Sequence, residues 1–249
     1  MELTGMAILL PISIVAEAGR WTPTWMWAWL AALGVVNVVA SLFLYKSFEF
    51  GVISVVSPLA SSYPAVTAVL AIAFLGDRPG APAALGILAI LAGILLLSRS
   101  RAHPDNPRPR DARVGLVSAF VAFAGYGVFY FALAYPVATL GPLTSAAFAR
   151  LVGVVALVGL GGIRSAVLVR PPKDLWTLLL PIGVLDSIAF VAYNVGILGG
   201  SVAVIGTLSG LFSAVTVGLA VAFLRERLTR VQWAGVGLIL AGVALLSVR

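Results

Sequence analysis

Two ionisable side chains lie deep inside long apolar runs, Arg150 in SAAFARLVGVVAL and Asp186 in PIGVLDSIAFVAYN. A charge at the centre of a bilayer costs about 2.5–3.5 kcal/mol on insertion scales, so such residues face a protein interior or an aqueous cavity. The planar guanidinium of Arg150 can bind a carboxylate of a ligand. Asp186 can exchange a proton or bind a cationic amine. The structural alternative, which the sequence leaves open, is that the two pair with each other and stabilise the helix packing.

Polar side chains also recur at helical spacing around Asp186 and around Asn37. Residues four, seven or eight positions apart lie on one side of a helix. Exposure to lipid does not explain such stripes, so the pattern favours residues that line a polar cavity. Hydrogen bonding between helices, worth about 0.6 kcal/mol per contact, is the alternative. The two stripes are Asp186, Tyr193 and Asn194, and Asn37, Ser41 and Tyr45.

Two further runs combine hydroxyl groups with residues that interrupt helices. Pro58 and Pro64 fall in the first of these runs, and Gly206 and Gly210 fall in the second. Proline removes a backbone N–H and can kink a helix, and interrupted helices at corresponding positions of two halves mark binding sites in membrane proteins. Close packing of small residues is the alternative. The candidate side chains are Ser61 and Tyr63 in run 52–75, and Ser209 and Ser213 in run 201–224.

Tyr126 and Tyr130 form an aromatic pair four residues apart in the run 114–134. Aromatic rings in a cavity can bind apolar or cationic ligands. Packing is the alternative role for such a pair.

The composition is that of a membrane protein. Of the 249 residues 61% are hydrophobic and only 10% are charged, whereas a soluble domain carries about 25% charged residues. The mean hydropathy is +1.10. Several apolar runs reach the roughly 20 residues that cross a hydrocarbon core, so the sequence predicts an all-α polytopic membrane protein with about nine transmembrane helices. The predicted spans are 3–16, 25–45, 52–75, 80–98, 114–134, 142–162, 175–196, 201–224 and 231–248.

Several kinds of chemistry are poorly supported. The chain has no cysteine and one histidine, His103, in a polar segment, so we expect no catalytic residue, no metal site and no cofactor, and we do not expect an enzyme. No Walker-type phosphate loop is present, which argues against direct use of ATP. The net charge of +7 comes from basic residues in the loops between spans, which is typical of membrane proteins, so we expect no nucleic-acid partner.

An internal repeat organises the chain. Residues 51–98 align without a gap on residues 200–247, a shift of 149 positions, with 20 of 48 pairs identical. The same shift maps span 25–45 onto 175–196, five crossings later. Because five is odd, the second copy enters the membrane from the opposite side, and the sequence predicts two inverted repeats of the kind described for membrane carriers.

A complete duplication would have ten helices, five in each repeat. Residues 1–14 fall on 150–163 under the same shift, so we expect that the first helix of repeat 1 is missing, either because the true start lies upstream or because the protein has lost this helix. The predicted domains are a first repeat at 1–98, a linker at 99–113 that carries three prolines, and a second repeat at 114–249.

These residues carry a family resemblance. The stretch YKSFEFGVISVVSPLASSYPAVTAVLAIAFLGDRP, then GILAILAGILLLSR and the later FLRERLTRVQWAGVGLILAGVALL, resembles the EamA family of the drug/metabolite transporter (DMT) superfamily. The resemblance covers residues 25–249. It implies a carrier of the bacterial inner (cytoplasmic) membrane with ten helices and a central cavity that moves small metabolites, amino acids or drug-like solutes.

The resemblance implies a secondary transporter that works by alternating access, with export as the expected direction. The expected partners are a small-molecule solute, the lipid bilayer and a possible coupling proton, and the protein would act as a monomer or homodimer. A non-transporting truncated remnant or a membrane assembly subunit is the alternative. A membrane-embedded enzyme would need clustered carboxylates or a Ser–His pair, which the spans lack.

The orientation has two conflicting indications. In ten-helix numbering, twelve Lys and Arg residues fall in loops on the side of linker 99–113, and three, Arg20, Arg78 and Arg249, fall on the other. The positive-inside rule then puts the linker in the cytoplasm and the C-terminus outside. The family resemblance implies that both termini are inside.

Overall fold

The computed structural model describes residues 2–51, 59–60, 62–97, 109–163, 176–212, 214–215, 218–219 and 229–246. Within these ranges the chain is helical with connecting turns, and no strand is present. The helices are α1 (Glu2–Ala16), α2 (Met26–Phe50), α3 (Tyr63–Leu70), α4 (Ala81–Leu97), α5 (Pro109–Ala132), α6 (Ala134–Leu140), α7 (Pro142–Ile163), α8 (Trp176–Gly199), α9 (Val202–Ser209) and α10 (Arg230–Leu246). The all-α prediction is confirmed.

Four helical stretches among the described residues are long and apolar enough to cross a membrane, namely Met26–Phe50, Arg113–Leu140, Pro142–Gly159 and Leu179–Gly199. Shorter apolar helices occupy Leu3–Ala16, Tyr63–Leu75, Ala81–Leu96 and Arg230–Leu246. The chain is therefore a multi-pass membrane protein, while the predicted count of nine spans stays a prediction.

Two helix boundaries differ from the predicted ones. Helix α5 begins at Pro109, inside the predicted linker 99–113. Proline suits the first turn of a helix, because its missing N–H would have no helical partner there. The predicted span 114–134 is interrupted at Leu133 and continues as α6. Pro136 explains this break, because it cannot donate to the carbonyl of Ala132, and Trp29 Nε1 donates to that carbonyl instead, at 3.2 Å.

The two helices with hydroxyl groups are both interrupted, at positions that correspond under the repeat. The chain turns at Ser62 before α3 begins, and it turns at Gly210 and Leu211 after α9 ends. Ser62 and Leu211 are 149 positions apart. Helix α3 continues as a π-helical turn, Ala71–Leu75, which ends at Gly76 with a φ of 70°.

The helices form two compact units, each of which draws on both halves of the sequence. Unit 1 comprises Met1–Val38 and Ala132–Gly199, and unit 2 comprises Val39–Phe131 and Gly200–Arg249. In unit 1, α1 packs against α7 and α8. In unit 2, α4 packs along α10 and α3 packs on α9.

In unit 2, α4 and α10 approach each other closely through glycines. A Cβ on Gly86 would lie 2.8 Å from the carbonyl oxygen of Gly242, and one on Gly93 would lie 2.7 Å from that of Gly235. Because the earlier glycine of one helix meets the later glycine of the other, the helices are antiparallel. The contact is also symmetric under the repeat: the pairs 149 positions apart are Gly86 with Gly235, Ile90 with Ile239, and Gly93 with Gly242.

Candidate functional site

Aromatic side chains from two other segments of unit 2, α5 and the residues directly after α9, converge on Tyr63. Its ring stacks on Tyr130 with centroids 5.1 Å apart, and it lies 5.8 Å from the tilted ring of Tyr126. Phe212 stacks on Tyr63 from the other repeat, at 6.4 Å. Tyr63 is 9% exposed and Phe212 is 48% exposed, so the group is buried on one side and open on the other.

Two serines add hydrogen-bonding groups to these rings. Ser41 Oγ and Tyr126 OH are 2.8 Å apart, and either atom can donate. Tyr63 OH and Ser209 Oγ are 3.4 Å apart, again with either atom as the donor. The tyrosine cluster is defined as Ser41, Tyr63, Tyr126, Tyr130, Ser209 and Phe212.

The helix breaks position this cluster. Tyr63 is the first residue of α3, directly after the turn at Ser62, and Ser209 is the last residue of α9. Thr67 Oγ1 donates to the carbonyl of Gly127 at 3.1 Å, which holds α3 against α5. Gly127 permits this approach, because a Cβ there would overlap the side chain of Val66.

Tyr63 and Phe212 occupy equivalent positions of the two repeats, 149 residues apart, and their rings stack on each other. The sequence predicted five members of the cluster separately and missed Phe212. The signal that could have indicated Phe212 was its alignment with Tyr63 when the sequence is shifted by 149 positions.

In unit 1, Arg150 and Asp186 form an ion pair, with Nη2 and Oδ2 2.5 Å apart. The Arg150 side chain is 9% exposed and that of Asp186 is 44% exposed. The guanidinium also lies 5.3 Å from the centroid of the Phe190 ring, within cation–π range. The pairing that the sequence left as the structural alternative is therefore present, and the functional roles of both residues stay predictions.

Helix α1 packs directly beside this ion pair. The sequence did not indicate this contact. A Cβ on Gly5 would lie 2.6 Å from Ser187 Oγ and 3.4 Å from Arg150 Nε. Ser187 Oγ donates to the carbonyl of Gly183, one turn earlier in α8. The missing side chain at Gly5 thus allows α1 to pack directly on the helices that carry the two charges.

The stripe of Asn37, Ser41 and Tyr45 is divided between the two units, whereas the stripe of Asp186, Tyr193 and Asn194 lies in unit 1. Tyr193 and Asn194 are buried in unit 1, where Asn194 Nδ2 donates to the carbonyl of Pro142 at 3.0 Å. Asn37 is half-buried in unit 1. Tyr45 is 65% exposed and lies outside the tyrosine cluster. Ser61 and Ser213 lie outside the described residues.

Two carboxylates bind helix N-termini, and the sequence singled out neither. Glu17 accepts hydrogen bonds from the backbone N–H groups of Leu143 at 3.2 Å and Thr144 at 2.7 Å. Asp77 accepts from Ser201 Oγ at 2.8 Å and from the N–H of Ala203 at 2.9 Å. Each carboxylate accepts from at least one N–H group that lacks a helical partner, and each complements the helix dipole. Within the described ranges, no group of three or more His, Cys, Asp or Glu residues is placed to hold a metal ion.

Helices that are long and apolar enough to cross a membrane define the class of protein, a helical integral membrane protein. The profile of the EamA-like transporter family matches residues 2–99 and 113–248. The chain belongs to this family, as the sequence motifs indicated. The EamA family is part of the DMT superfamily, and members of the EamA family are transporters.

Two individual proteins are similar to this chain, one in fold and one in sequence over a short stretch. A protein of known crystal structure shares the fold with a TM-score of 0.80 at 20% identity, over 99% of this chain and 84% of that one. An uncharacterized protein of Methanocaldococcus jannaschii is 44% identical over 66 residues, which are 26% of this chain. The chain spans about half, 48%, of the length of that curated relative.

Proposed function

We propose that the protein is a secondary transporter that moves a small metabolite, amino acid or drug-like solute by alternating access. The observation that carries the proposal is the tyrosine cluster at the two corresponding helix breaks. Five residues chosen from the sequence as binding candidates meet there, on segments far apart in the chain. The alternative, a non-transporting remnant or an assembly subunit, supplies no reason for this convergence.

The proposed architecture is two inverted repeats, 1–98 and 114–249, joined by the linker 99–113. The antiparallel contact between α4 and α10 supports it. Two spanning helices related by a two-fold axis along the membrane normal would be parallel, whereas an axis in the membrane plane makes them antiparallel. The exchange of Gly86–Gly242 for Gly93–Gly235 is the reciprocal pattern that a two-fold contact produces.

The helix breaks suit a moving site. A helix that stops at Ser62 or Gly210 lacks a continuous ladder of backbone hydrogen bonds there, so its direction can change by rotation of a few backbone angles. A solute held between Tyr63 and Phe212 would touch equivalent positions of both repeats. Rocking of one repeat against the other would then expose the solute to alternate sides of the membrane.

The chemistry of the cluster points to an organic solute with an apolar or cationic part and a hydrogen-bonding group. The faces of Tyr63 and Tyr130 attract cations and pack on flat apolar groups. The hydroxyls of Ser41 and Ser209 donate or accept as the solute requires. Such a mixture of aromatic walls and a few polar groups is usual in small-molecule sites.

We further propose that the Arg150–Asp186 pair couples transport to a proton. Asp186 cannot at the same time carry a proton and keep its full attraction for Arg150. A proton taken up by Asp186 neutralises that carboxylate, and the guanidinium, which keeps its charge, becomes available to an anionic group of a solute. The side chain of Asp186 is 44% exposed, so a proton could reach it from the proposed central cavity.

The membrane, direction and assembly are proposed from the family resemblance. We propose the bacterial inner membrane, export of the solute, and a monomer or homodimer. The energy source would be a proton gradient or the gradient of the solute itself.

Flux through sealed proteoliposomes tests this function, with a panel of labelled amino acids and aromatic cations as probes. We expect saturable uptake of at least one probe, weakened about tenfold in apparent affinity by Tyr126→Ala, because an aromatic contact and a hydroxyl are lost. The matched control is Tyr45→Ala, whose ring is exposed and outside the cluster.

Two results would contradict the proposal. Unchanged flux in Tyr126→Ala and Ser41→Ala would remove the tyrosine cluster from the solute path. Absence of saturable flux for every probe, in a protein that remains folded, would favour the remnant or assembly subunit. Asp186→Asn is expected to abolish the response of flux to an imposed proton gradient, and an unchanged response would exclude the proposed coupling.

A further inference from the structure

An apolar groove lies between the end of α2 and the start of α5, both in unit 2. Its volume is about 300 Å³, it is open to the surface, and it shares no residue with the tyrosine cluster. Sites for small ligands have volumes of about 300–1,000 Å³. The residues that line the groove are Phe43, Lys46, Arg113, Val114, Val117 and Ser118.

Two positively charged side chains, Lys46 and Arg113, line the groove. Lys46 lies in the last two turns of α2, and Arg113 is the first residue of the apolar span Arg113–Leu140. Lys46 Nζ lies 5.8 Å from the centroid of the Phe43 ring, which keeps the ammonium group beside the groove. No acidic residue is among the side chains that line it, so the groove itself presents two positive charges next to apolar side chains.

The position of these charges matches a membrane interface. Both cations lie where an apolar span meets a polar segment, and both belong to the side of the chain that is rich in Lys and Arg. From Arg113 the apolar face of α5 continues along the groove, because Val117 is 54% exposed and Phe120, nearly one turn later, is 59% exposed. The groove therefore passes from a charged rim to a surface that suits hydrocarbon.

The approach of the two segments fixes the width of the groove. A Cβ on Gly115 would overlap the backbone of Gly51, directly after α2, so α5 and the end of α2 are in backbone contact. The side chains that flank this backbone contact, including Lys46 and Arg113, therefore form the walls of the groove.

We propose that this groove binds one anionic phospholipid. The headgroup phosphate accepts hydrogen bonds from Lys46 and Arg113, and an acyl chain lies on Phe43, Val114 and Val117. Arginine and lysine both bind phosphate, and basic pockets between membrane helices are typical sites for anionic headgroups. The combination of a charged rim with an apolar floor favours a lipid over a free phosphate, which has no use for the floor.

Native mass spectrometry of the full-length protein, titrated with phosphatidylglycerol or phosphatidylcholine, tests the site. We expect tighter binding of phosphatidylglycerol, weakened about fivefold by Lys46→Ala and by Arg113→Ala, as for the loss of one charge near an anionic headgroup. Lys46→Arg should bind as the parent does, because the charge is kept. The matched control is Arg230→Ala, an exposed arginine at the start of α10 that does not line the groove.

A second variant separates a lipid from a free anion. Val117→Trp leaves both charges in place and fills the apolar floor, so it should weaken phosphatidylglycerol binding while thermal stability in detergent is unchanged. Glycerol phosphate should not compete. Each of three results would overturn the proposal. The first is equal binding of the two lipids, and the second is full binding by the Lys46→Ala/Arg113→Ala double variant. The third is competition by glycerol phosphate that Val117→Trp does not alter.

Discussion

At the scale of single residues, the two partners of the ion pair differ in exposure. Asp186→Asn leaves the guanidinium of Arg150, with a side chain 9% exposed, without this carboxylate, whereas Arg150→Gln leaves a carboxylate that is 44% exposed. Breaking a fully buried pair costs about 3–5 kcal/mol, and the exposure of Asp186 reduces that cost here. We expect Asp186→Asn to lower thermal stability in detergent more than Arg150→Gln does.

The double variant tests whether the two charges are coupled. Arg150→Gln combined with Asp186→Asn removes both charges, so it should be more stable than Asp186→Asn alone. If the two losses simply add, the side chains do not stabilise each other in the way their contact implies.

Glu17 is expected to stabilise the start of α7. Glu17→Ala removes both acceptors of the Leu143 and Thr144 N–H groups and should cost about 1 kcal/mol, as for the loss of an N-cap. Glu17→Gln keeps one acceptor and should cost less. Thermal unfolding measures both variants, with Glu49→Ala, an exposed glutamate of α2, as the control. Equal stability of Glu17→Ala and the parent would show that water replaces the carboxylate.

At the scale of elements, the breaks of α3 and α9 illustrate what sequence patterns can predict. Pro64 and Gly210 indicated that two helices are interrupted at related positions, and the turns at Ser62 and Gly210–Leu211 confirm it. The pattern did not indicate that the broken ends meet. Proline and glycine act on the chain within one turn, whereas the meeting of Tyr63 and Ser209 depends on how α3 packs against α9.

The close contact between α4 and α10 predicts that alanine destabilises the protein at a glycine inside the contact but not at a glycine outside it. Gly93→Ala places a methyl group against the backbone of Gly235 and should destabilise the protein by about 1–3 kcal/mol, as other overpacked sites do. Gly237→Ala lies on α10 with no atom within 4 Å of the new methyl group, so it should be neutral or stabilise the helix by up to about 1 kcal/mol. Thermal unfolding in detergent compares the two, and equal effects would mean that α4 and α10 are not in backbone contact.

At the scale of the whole molecule, the inverted repeats predict that equivalent loops face opposite sides of the membrane. Arg78 and Arg227 are 149 positions apart, and the parent chain contains no cysteine. In sealed vesicles, a membrane-impermeant thiol reagent should label only one of Arg78→Cys and Arg227→Cys, and the other only after the vesicles are opened. Labelling of both from one side would rule out inverted repeats.

The same labelling decides the orientation. The charge count predicts that residue 227 is cytoplasmic and residue 78 is outside, because the basic loops stay in the cytoplasm. The family resemblance, with the C-terminus inside, predicts the opposite, and vesicles of known sidedness distinguish the two.

The sequence alone determined the class and the family. Long apolar runs have few other stable environments than a membrane, and the repeat at a shift of 149 positions is visible in 20 identical pairs out of 48, so helices, family and helix breaks were predictable. The candidate residues were predictable one at a time, because polar groups inside apolar runs are costly and therefore noticeable.

Only the tertiary structure decided which of these residues meet. Helical periodicity grouped Ser41 with Asn37 and Tyr45, yet Ser41 pairs with Tyr126, Asn37 is half-buried in the other unit, and Tyr45 is exposed. Helical periodicity shows which side of its own helix a residue occupies. Which other helix packs against that side is set by contacts between segments that are distant in the sequence. Arg150 and Asp186 were the first residues to suggest chemistry, and it was the packing of α1, α7 and α8 that joined them as a pair.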